Sequence, residues 1–275
     1  MPIGNKASLL VGLALVCVVA LSASLPAGDA PGPERIETVA DLNGKRLGIL
    51  AGTVLDNAAN DALDFTRILY YDDTAAEIEA LLAGEIDAFI DDEPVARYLA
   101  GTNPLLRKVE GTLIPDSYGF AAQYGDDEFY NALDGFLGEM LTDGTVDALE
   151  RKWIDSPDEE GRVMPDLPEV ESGRVLRFGV SPVSAPFVYE NADGEVIGLD
   201  LELMDMIARR MNRRLEVVSM EFSELVPSLL RGRVDVIGSC LSITEERQAI
   251  IRFTRPCYEG GVAAITLADG AGGDE

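Results

Sequence analysis

The chain has 275 residues, which is enough for one large domain or for two modest domains with cores of their own. Its formal net charge is −27, from 49 acidic and 22 basic side chains, and so acidic a surface repels phosphate backbones and argues against a nucleic-acid partner. The sequence contains no histidine, which excludes histidine metal sites, histidine-containing triads and acid–base catalysis by histidine.

The chain begins with an export-like segment. Residues 7–25 are an uncharged apolar run behind Lys6, and small residues follow from Ser22 to Ala30. This order predicts a secretory signal peptide, taken as residues 1–27, and therefore a periplasmic or otherwise extracytoplasmic protein. The alternative is an uncleaved membrane anchor, because the run approaches the length that spans a bilayer.

Strand and helix patterns then alternate through residues 34–154. Short apolar strands at residues 45–50, 67–71, 87–91 and 118–123 are separated by helical patterns at residues 54–63, 74–83, 93–100, 126–141 and 145–154. Alternation of this kind predicts an α/β fold with a mostly parallel sheet covered by helices.

Residues 155–173 have a different composition, with seven acids and three prolines. We expect a solvated, semi-extended linker. The α/β alternation resumes after it, with strands at residues 177–180, 215–220, 234–237 and 261–267 and helices at residues 200–211 and 223–230. Residues 269–275 are predicted to be a disordered tail.

Two cysteines lie in the second half of the chain. Cys240 and Cys257 could pair in an exported protein, but a separation of 17 positions does not establish the geometry that a disulfide needs. Two buried thiols are an equal alternative.

A dozen short motifs occur in an informative order. Those in residues 174–268 include LRFGV at 176–180, GLDLEL at 198–203, LSITEER at 241–247 and FTRPCY at 253–258. Those in residues 34–154 include DLNGKRLG at 41–48, AGT at 51–53 and DEPVA at 92–96. Together they resemble the extracellular solute-binding proteins of family 3, which capture polar amino acids for ABC importers.

The family's usual order runs from the second group of residues into the first, so the two halves are inverted here. The resemblance implies a circularly permuted, two-lobed periplasmic-binding-protein fold of type II. Its second lobe would be residues 34–117, and residues 118–154 would be a return strand and helices packing on the first lobe. The first lobe itself would be residues 174–268. We expect the permutation to cut one of the two strands that cross between the lobes, and so to loosen the hinge. A fragment of a tandem pair and an exchange of lobes between two chains are the alternatives.

The resemblance also implies a clamp for a zwitterion. Arg247 would bind the ligand carboxylate through its planar fork, with Ser242 and Thr53 as further donors to that carboxylate. Asp92, at the end of a strand on the opposite lobe, would accept the ligand ammonium. The plainer interpretations are a solvated charge for Arg247 and a helix N-cap for Asp92.

The remaining predicted ligand-binding residues form the side-chain pocket: Ser181, Ser184, Phe222, Cys240 and Val54. Ser181 stands where relatives that bind basic amino acids carry an acid, and Ser184 stands where an aromatic is usual. The pocket therefore favours a small or polar neutral amino acid.

The predicted function is capture of such a ligand for an ABC permease by a monomeric, non-enzymatic protein that needs no metal or cofactor. One alternative is a dehydratase-like enzyme on the same scaffold, with Glu93, Asp92 or Asp91 as the acid or base. Another is a ligand sensor tethered by an uncleaved N-terminus.

Overall fold

The computed structural model describes residues 35–271, apart from residues 52, 54, 65–66, 157–159, 168–169 and 171–172 and the side chain of Asp56. The predicted signal peptide, Val54 and most of the predicted tail lie outside the described residues. Within the described part of the chain, no helix has both the length and the apolar character needed to cross a membrane.

Fourteen strands occur in the described residues. In chain order they are β1 (Arg46–Leu50), β2 (Arg67–Tyr71), β3 (Ala88–Asp92), β4 (Leu106–Lys108), β5 (Ile114–Tyr118), β6 (Ala121–Ala122), β7 (Arg174–Val180), β8 (Val183–Ser184), β9 (Val188–Glu190), β10 (Val196–Ile197), β11 (Arg213–Ser219), β12 (Val236–Ile237), β13 (Arg252–Phe253) and β14 (Tyr258–Leu267).

The α-helices of the same residues are α1 (Leu55–Ala62), α2 (Thr74–Leu82), α3 (Glu93–Thr102), α4 (Asp127–Thr142), α5 (Thr145–Glu150), α6 (Leu199–Arg210), α7 (Leu225–Leu230) and α8 (Glu245–Gln248). A π-helical turn, Arg151–Asp155, follows α5. Side-chain caps begin three of these helices: Asp73 accepts from Ala76 N before α2, Asp126 from Phe129 N before α4, and Thr244 from Arg247 N before α8.

Eleven of these strands form two large sheets, each of which builds one lobe, and β8, β9 and β10 form a small antiparallel sheet. The six-stranded lobe has the order β2-β1-β3-β14-β4, with β5 paired to β14. The five-stranded lobe has the order β11-β7-β12-β6-β13. Three neighbouring strands of each sheet are parallel: β2, β1 and β3 in the six-stranded lobe, and β11, β7 and β12 in the five-stranded lobe. Next to them, β14 pairs antiparallel with β3, and β6 pairs antiparallel with β12. The two lobes are therefore mixed α/β layers, less parallel than the sequence predicts.

The last strand corrects the predicted lobe boundary. Residues 174–268 are expected to form one lobe, but β14 pairs with β3, β4 and β5 of the six-stranded lobe. Residues 262–265 of β14 are completely buried there, which explains its uninterrupted apolar sequence. The chain leaves the five-stranded lobe after β13 and crosses over at residues 254–257.

Two connections cross between the lobes, and both are continuous. One runs from β5 to β6 and the other from β13 to β14. They are hydrogen-bonded to each other, because Thr254 N donates to Phe120 O and Cys257 N donates to Tyr118 O, each over 2.8 Å. The expectation of a strand cut within the hinge is therefore wrong. Away from the hinge, Arg35 and Asp269 form an exposed ion pair of 2.6 Å.

The acidic linker is less solvated than its composition predicts. Arg162 is only 4% exposed, and its guanidinium lies 4.6 Å from the ring centroid of Tyr98 on α3. Lys152 Nζ donates to Val163 O over 2.6 Å, and Met164 packs against the core of the five-stranded lobe. Cation–π stacking and backbone contacts thus hold the middle of this segment against the protein.

Candidate functional site

A cleft with a cavity of about 30 Å³, room for about two water molecules, lies between the lobes. Side chains of both lobes line it: Leu50, Thr53, Leu55, Asp91 and Asp92 from the six-stranded lobe, and Ser184, Phe222, Ser239, Cys240, Ser242 and Arg247 from the five-stranded lobe. Seven of the nine predicted ligand-binding residues are among them. Ser181 is buried outside the lining, and Val54 lies outside the described residues.

Arg247 brings a half-buried cation to the cleft. It lies on α8, where Nη1 donates to Ser242 O over 2.9 Å and the guanidinium lies 5.7 Å from the ring centroid of Phe222. Burial lowers the pKa of Arg247, whereas the charges of Asp116 and Asp92 raise it. Among the residues that the structure describes, no carboxylate lies within the 4 Å of an ion pair with it. An arginine always stays protonated in proteins, so its remaining N–H groups can bind an anion.

Asp92 faces Arg247 from the other lobe. It ends β3 and precedes α3, but its side chain makes no capping hydrogen bond to that helix. Instead, Asp92 Oδ1 accepts from Tyr118 Oη over 2.8 Å. Burial raises the pKa of Asp92 to about 7 and the Asp116 charge acts in the same direction, whereas the Tyr118 hydroxyl, the Cys240 thiol and the Arg247 charge oppose them. The carboxyl group of Asp92 should therefore ionise when a cation binds next to it.

Asp91 is a second carboxyl group in the cleft. It is buried, and its Oδ1 accepts the backbone N–H of Asp92 over 2.7 Å. Burial and the Asp92 charge raise the pKa of Asp91 well above its usual range. Two adjacent buried carboxyls cannot both ionise without a nearby cation. The sequence predicts Asp91 only as a possible acid or base, because a strand pattern does not reveal which member of an Asp-Asp pair faces a cleft.

A tight loop after β12 places Cys240. Ser239 and Cys240 both have positive φ, of 92° and 50°. Their N–H groups donate to Asp200 Oδ2 over 2.9 and 3.0 Å, which holds the loop in this uncommon conformation. Asp200, in the first turn of α6, is buried, and burial raises its pKa to about 6 despite these two bonds. Ser181 supports the same loop from behind, since its N–H donates to Ser239 Oγ over 2.8 Å.

One of the two predicted hydroxyl donors is already engaged. Thr53 Oγ1 donates to Leu50 O over 2.8 Å, and a hydroxyl has only one hydrogen to donate. The Ser242 hydroxyl lines the cleft and lowers the pKa of Asp116. Arg247 is the principal donor that the described cleft offers to an anion, with Ser242 beside it.

Two other groups singled out by the sequence lie elsewhere. Glu93 is ion-paired with Arg97 (3.7 Å) and Lys108 (3.6 Å) and does not line the cleft. Cys240 and Cys257 are both buried and both free thiols, which decides between the alternatives of disulfide and thiols. Cys257 Sγ instead donates to Tyr118 O over 3.4 Å.

Part of the chain is similar to a known protein family. A sequence model of the bacterial extracellular solute-binding proteins, family 3, matches residues 176–272. The matched stretch, about a third of the chain, is similar to that family. The match covers most of the five-stranded lobe together with β14, and so includes Arg247, Ser242 and Cys240. The motifs in residues 34–154 remain a resemblance.

The histidine-binding periplasmic protein of Salmonella typhimurium is 41% identical to this chain over 83 residues, which are 30% of this chain and 32% of that protein. The probable amino-acid-binding protein YxeM of Bacillus subtilis is 31% identical over 99 residues, 36% of this chain and 37% of the relative. The chain thus matches about a third of the length of these relatives, both of which are named as binding proteins.

Among solved structures, the arginine-bound form of domain 1 from TmArgBP is similar to this chain. It is 36% identical, with a TM-score of 0.31, over 32% of this chain and 78% of that one.

Proposed function

We propose that the chain captures a free amino acid between its two lobes and presents it to an ABC permease outside the cytoplasm. The observation that carries the proposal is the pairing of Arg247 and Asp92. Arg247 supplies a cation and Asp92 supplies a carboxyl group. The two residues belong to different lobes, and both line the same cleft.

The chemistry of the pair matches a zwitterion. Arg247 has N–H groups to spare for a bidentate bond to a carboxylate, and no carboxylate of the described residues neutralises it. Asp92 carries a carboxyl group whose pKa of about 7 falls when an ammonium approaches, because a neighbouring cation favours the charged form. An amino acid would satisfy both groups at once, which is the condition for burying charges without a large desolvation penalty.

The size and lining of the cleft support a small or polar neutral side chain on the ligand. The cavity is small, and Ser184 and Ser239 line it beside a single aromatic wall, Phe222. Asp91 does not replace the acid expected of binders of basic amino acids, because burial favours its neutral form and the Asp92 N–H already occupies one oxygen.

We also propose that the chain is a circular permutation of the family, exported by its N-terminal segment and acting as a monomeric binder without catalysis. The contact of 2.6 Å between Arg35 and Asp269 supports the permutation. In the usual order, the residues next to these two would be joined, and here they lie side by side. The two continuous crossings leave the hinge able to open and close around a ligand.

A thermal-shift screen of the common amino acids tests the proposal. A ligand that binds only the folded protein stabilises it by about 2.7 kcal/mol at 100 times its Kd. One amino acid, or a few of similar shape, should therefore raise the Tm clearly, whereas D-enantiomers should do so much less. If no amino acid shifts the Tm of a protein that circular dichroism shows to be folded, the proposal is wrong.

A further inference from the structure

Outside the Arg247–Asp92 pair, two further polar side chains reach the cleft from the crossing strand β5. We propose that these two side chains are positioning residues for the amino-acid clamp. Asp116 positions the side that carries Arg247 and Ser242, and Tyr118 positions Asp92. This inference rests on the proposed amino-acid binding and deepens it, because it states how the hinge holds both halves of the site in register.

The backbone of β5 is fixed to both lobes. Along one edge it pairs antiparallel with β14 of the six-stranded lobe, with Tyr118 opposite Tyr258. Along the other edge it meets the segment that carries Ser242: Ile243 N donates to Ser117 O over 2.8 Å, and Gly119 N donates to Leu241 O over 3.1 Å. A movement of one lobe relative to the other must therefore act on this strand.

Asp116 and Tyr118 are two positions apart, so their side chains leave the same face of the strand. That face is directed to the cleft, because both side chains reach groups that line it. Asp116 is half-buried and Tyr118 is 1% exposed, so neither is simply a solvated surface group.

Asp116 acts on the carboxylate-binding side. Through Oδ1 it accepts a hydrogen bond of 2.7 Å from Ser117 N, and the Ser242 hydroxyl lowers the pKa of Asp116 against the effect of burial. The charge of Asp116 also favours the charged form of Arg247. Asp116 thereby places a carboxylate beside the Ser242 side chain and stabilises the guanidinium in a half-buried place, at a distance too long for an ion pair that would compete with a ligand.

Tyr118 acts on the ammonium-binding side. Its hydroxyl lies 2.8 Å from Asp92 Oδ1 and 3.0 Å from Gly261 O, but a phenol has one proton to donate. When Asp92 is ionised, the hydroxyl donates to it. When Asp92 is protonated, Asp92 can donate to the hydroxyl, which then donates to Gly261 O. The tilted rings of Phe187 and Tyr258, with centroids 6.2 and 6.1 Å away, hold the phenol in place for both arrangements.

The two residues affect the ionisation of Asp92 in opposite directions. The groups that face Asp92 are Asp91 on its own strand, Asp116 and Tyr118 on β5, Cys240 in the loop after β12, and Arg247 on α8. The Tyr118 hydrogen bond lowers the pKa of Asp92, and the Asp116 charge raises it. Removing the hydroxyl should therefore raise the pKa of Asp92, and removing the Asp116 charge should lower it.

The test is the affinity of the full chain for its best amino acid, measured by calorimetry between pH 5.5 and 9.5. Tyr118→Phe should move the midpoint of the pH dependence upward and weaken binding about tenfold near pH 6.5, with little change at pH 9.5. Asp116→Asn should move the midpoint downward and weaken binding at alkaline pH, where Arg247 and Ser242 have lost their partner. Tyr124→Phe is the matched control, because this exposed tyrosine donates to Gln248 O, does not line the described cleft and should leave the profile unchanged.

Opposite displacements of the two midpoints support the proposal, and a purely structural role would instead weaken binding equally at every pH. An unchanged midpoint in Tyr118→Phe overturns it, provided that the unsubstituted protein titrates. If Tyr118→Phe does not fold, the midpoint of Asp116→Asn alone decides the question. If the unsubstituted protein binds no amino acid at any pH, the proposed function itself has failed, which is a distinct result.

Discussion

Arg247→Ala removes the one cation among the described residues that line the candidate site. The guanidinium is half-buried and is not ion-paired with any carboxylate that the structure describes, so a ligand carboxylate would gain two charge-assisted hydrogen bonds from it. Each such bond contributes about 1.5–3 kcal/mol, and the partly open cleft places the sum toward the lower end. We therefore expect a loss of about 3 kcal/mol, which is more than a hundredfold in Kd.

Isothermal calorimetry of the best amino acid measures this loss directly. Arg247→Lys should recover only part of the affinity, because an ammonium cannot bind a carboxylate with a planar fork. Arg231→Ala is the matched control, since Arg231 is an exposed arginine of the same lobe, paired at 3.5 Å with Glu224. The assignment of Arg247 is refuted if Arg247→Ala binds the ligand within about twofold of the unsubstituted protein while the variant remains folded.

Four further predictions concern charges and thiols that the structure buries. The affinity of the unsubstituted protein should weaken as the pH falls through about 7, because protonated Asp92 no longer attracts an ammonium. Asp92→Asn should bind weakly at every pH, and a retained pH dependence in calorimetry would contradict this role. Burial raises the pKa of Glu77 from 4.5 to about 9, and the charges of Asp91 and Asp73 add to this effect. Between these two pH values the folded protein holds a proton on Glu77 that the unfolded chain has lost, so the free energy of unfolding should fall as the pH rises. Glu77 oxygens have no partner among the described residues, and Glu77→Met should increase the free energy of unfolding by about 1–3 kcal/mol at pH 8, as urea denaturation would show. Cys240 and Cys257 should react with iodoacetamide only after denaturation, because burial raises the pKa of both thiols, and mass spectrometry that finds them linked without reductant would count against this. Glu202 accepts from the Trp153 indole (2.7 Å) and Lys152 (2.6 Å), so Glu202→Ala should lower the unfolding free energy by about 3 kcal/mol, and an unchanged urea midpoint would argue against it.

The sequence predicted the alternation of strands and helices well, because buried strands and amphipathic helices differ in the period of their apolar residues. It also placed Arg247 and Asp92 on opposite lobes of the fold, since motif order assigns each residue to its element. What it could not supply was the lobe of β14. A short apolar strand shows that it is buried but not in which sheet, and the crossing at residues 254–257 has no local signature.

The site was less predictable than the fold, because its details depend on contacts between distant residues. Asp116 and Tyr118 reach the cleft from a strand that carries no ligand motif, and only contacts in the folded chain, such as the bond from Tyr118 to Asp92, reveal them. The engaged hydroxyl of Thr53 is likewise invisible in a sequence, which shows a donor but not its acceptor. The burial of Arg162 follows from its stacking on Tyr98, 64 positions earlier, which overrides the solvated character that the surrounding acids suggest.

The central claim is that one ligand bridges Arg247 and Asp92 through its own carboxylate and ammonium. The most direct measurement compares, by calorimetry at pH 8, the best amino acid with its methyl ester and its N-acetyl derivative. The account predicts that the ester, which cannot pair with Arg247, and the N-acetyl compound, which cannot pair with Asp92, both bind at least about a hundredfold more weakly than the parent. Equal binding of either derivative would show that the cleft does not hold both ends of an amino acid.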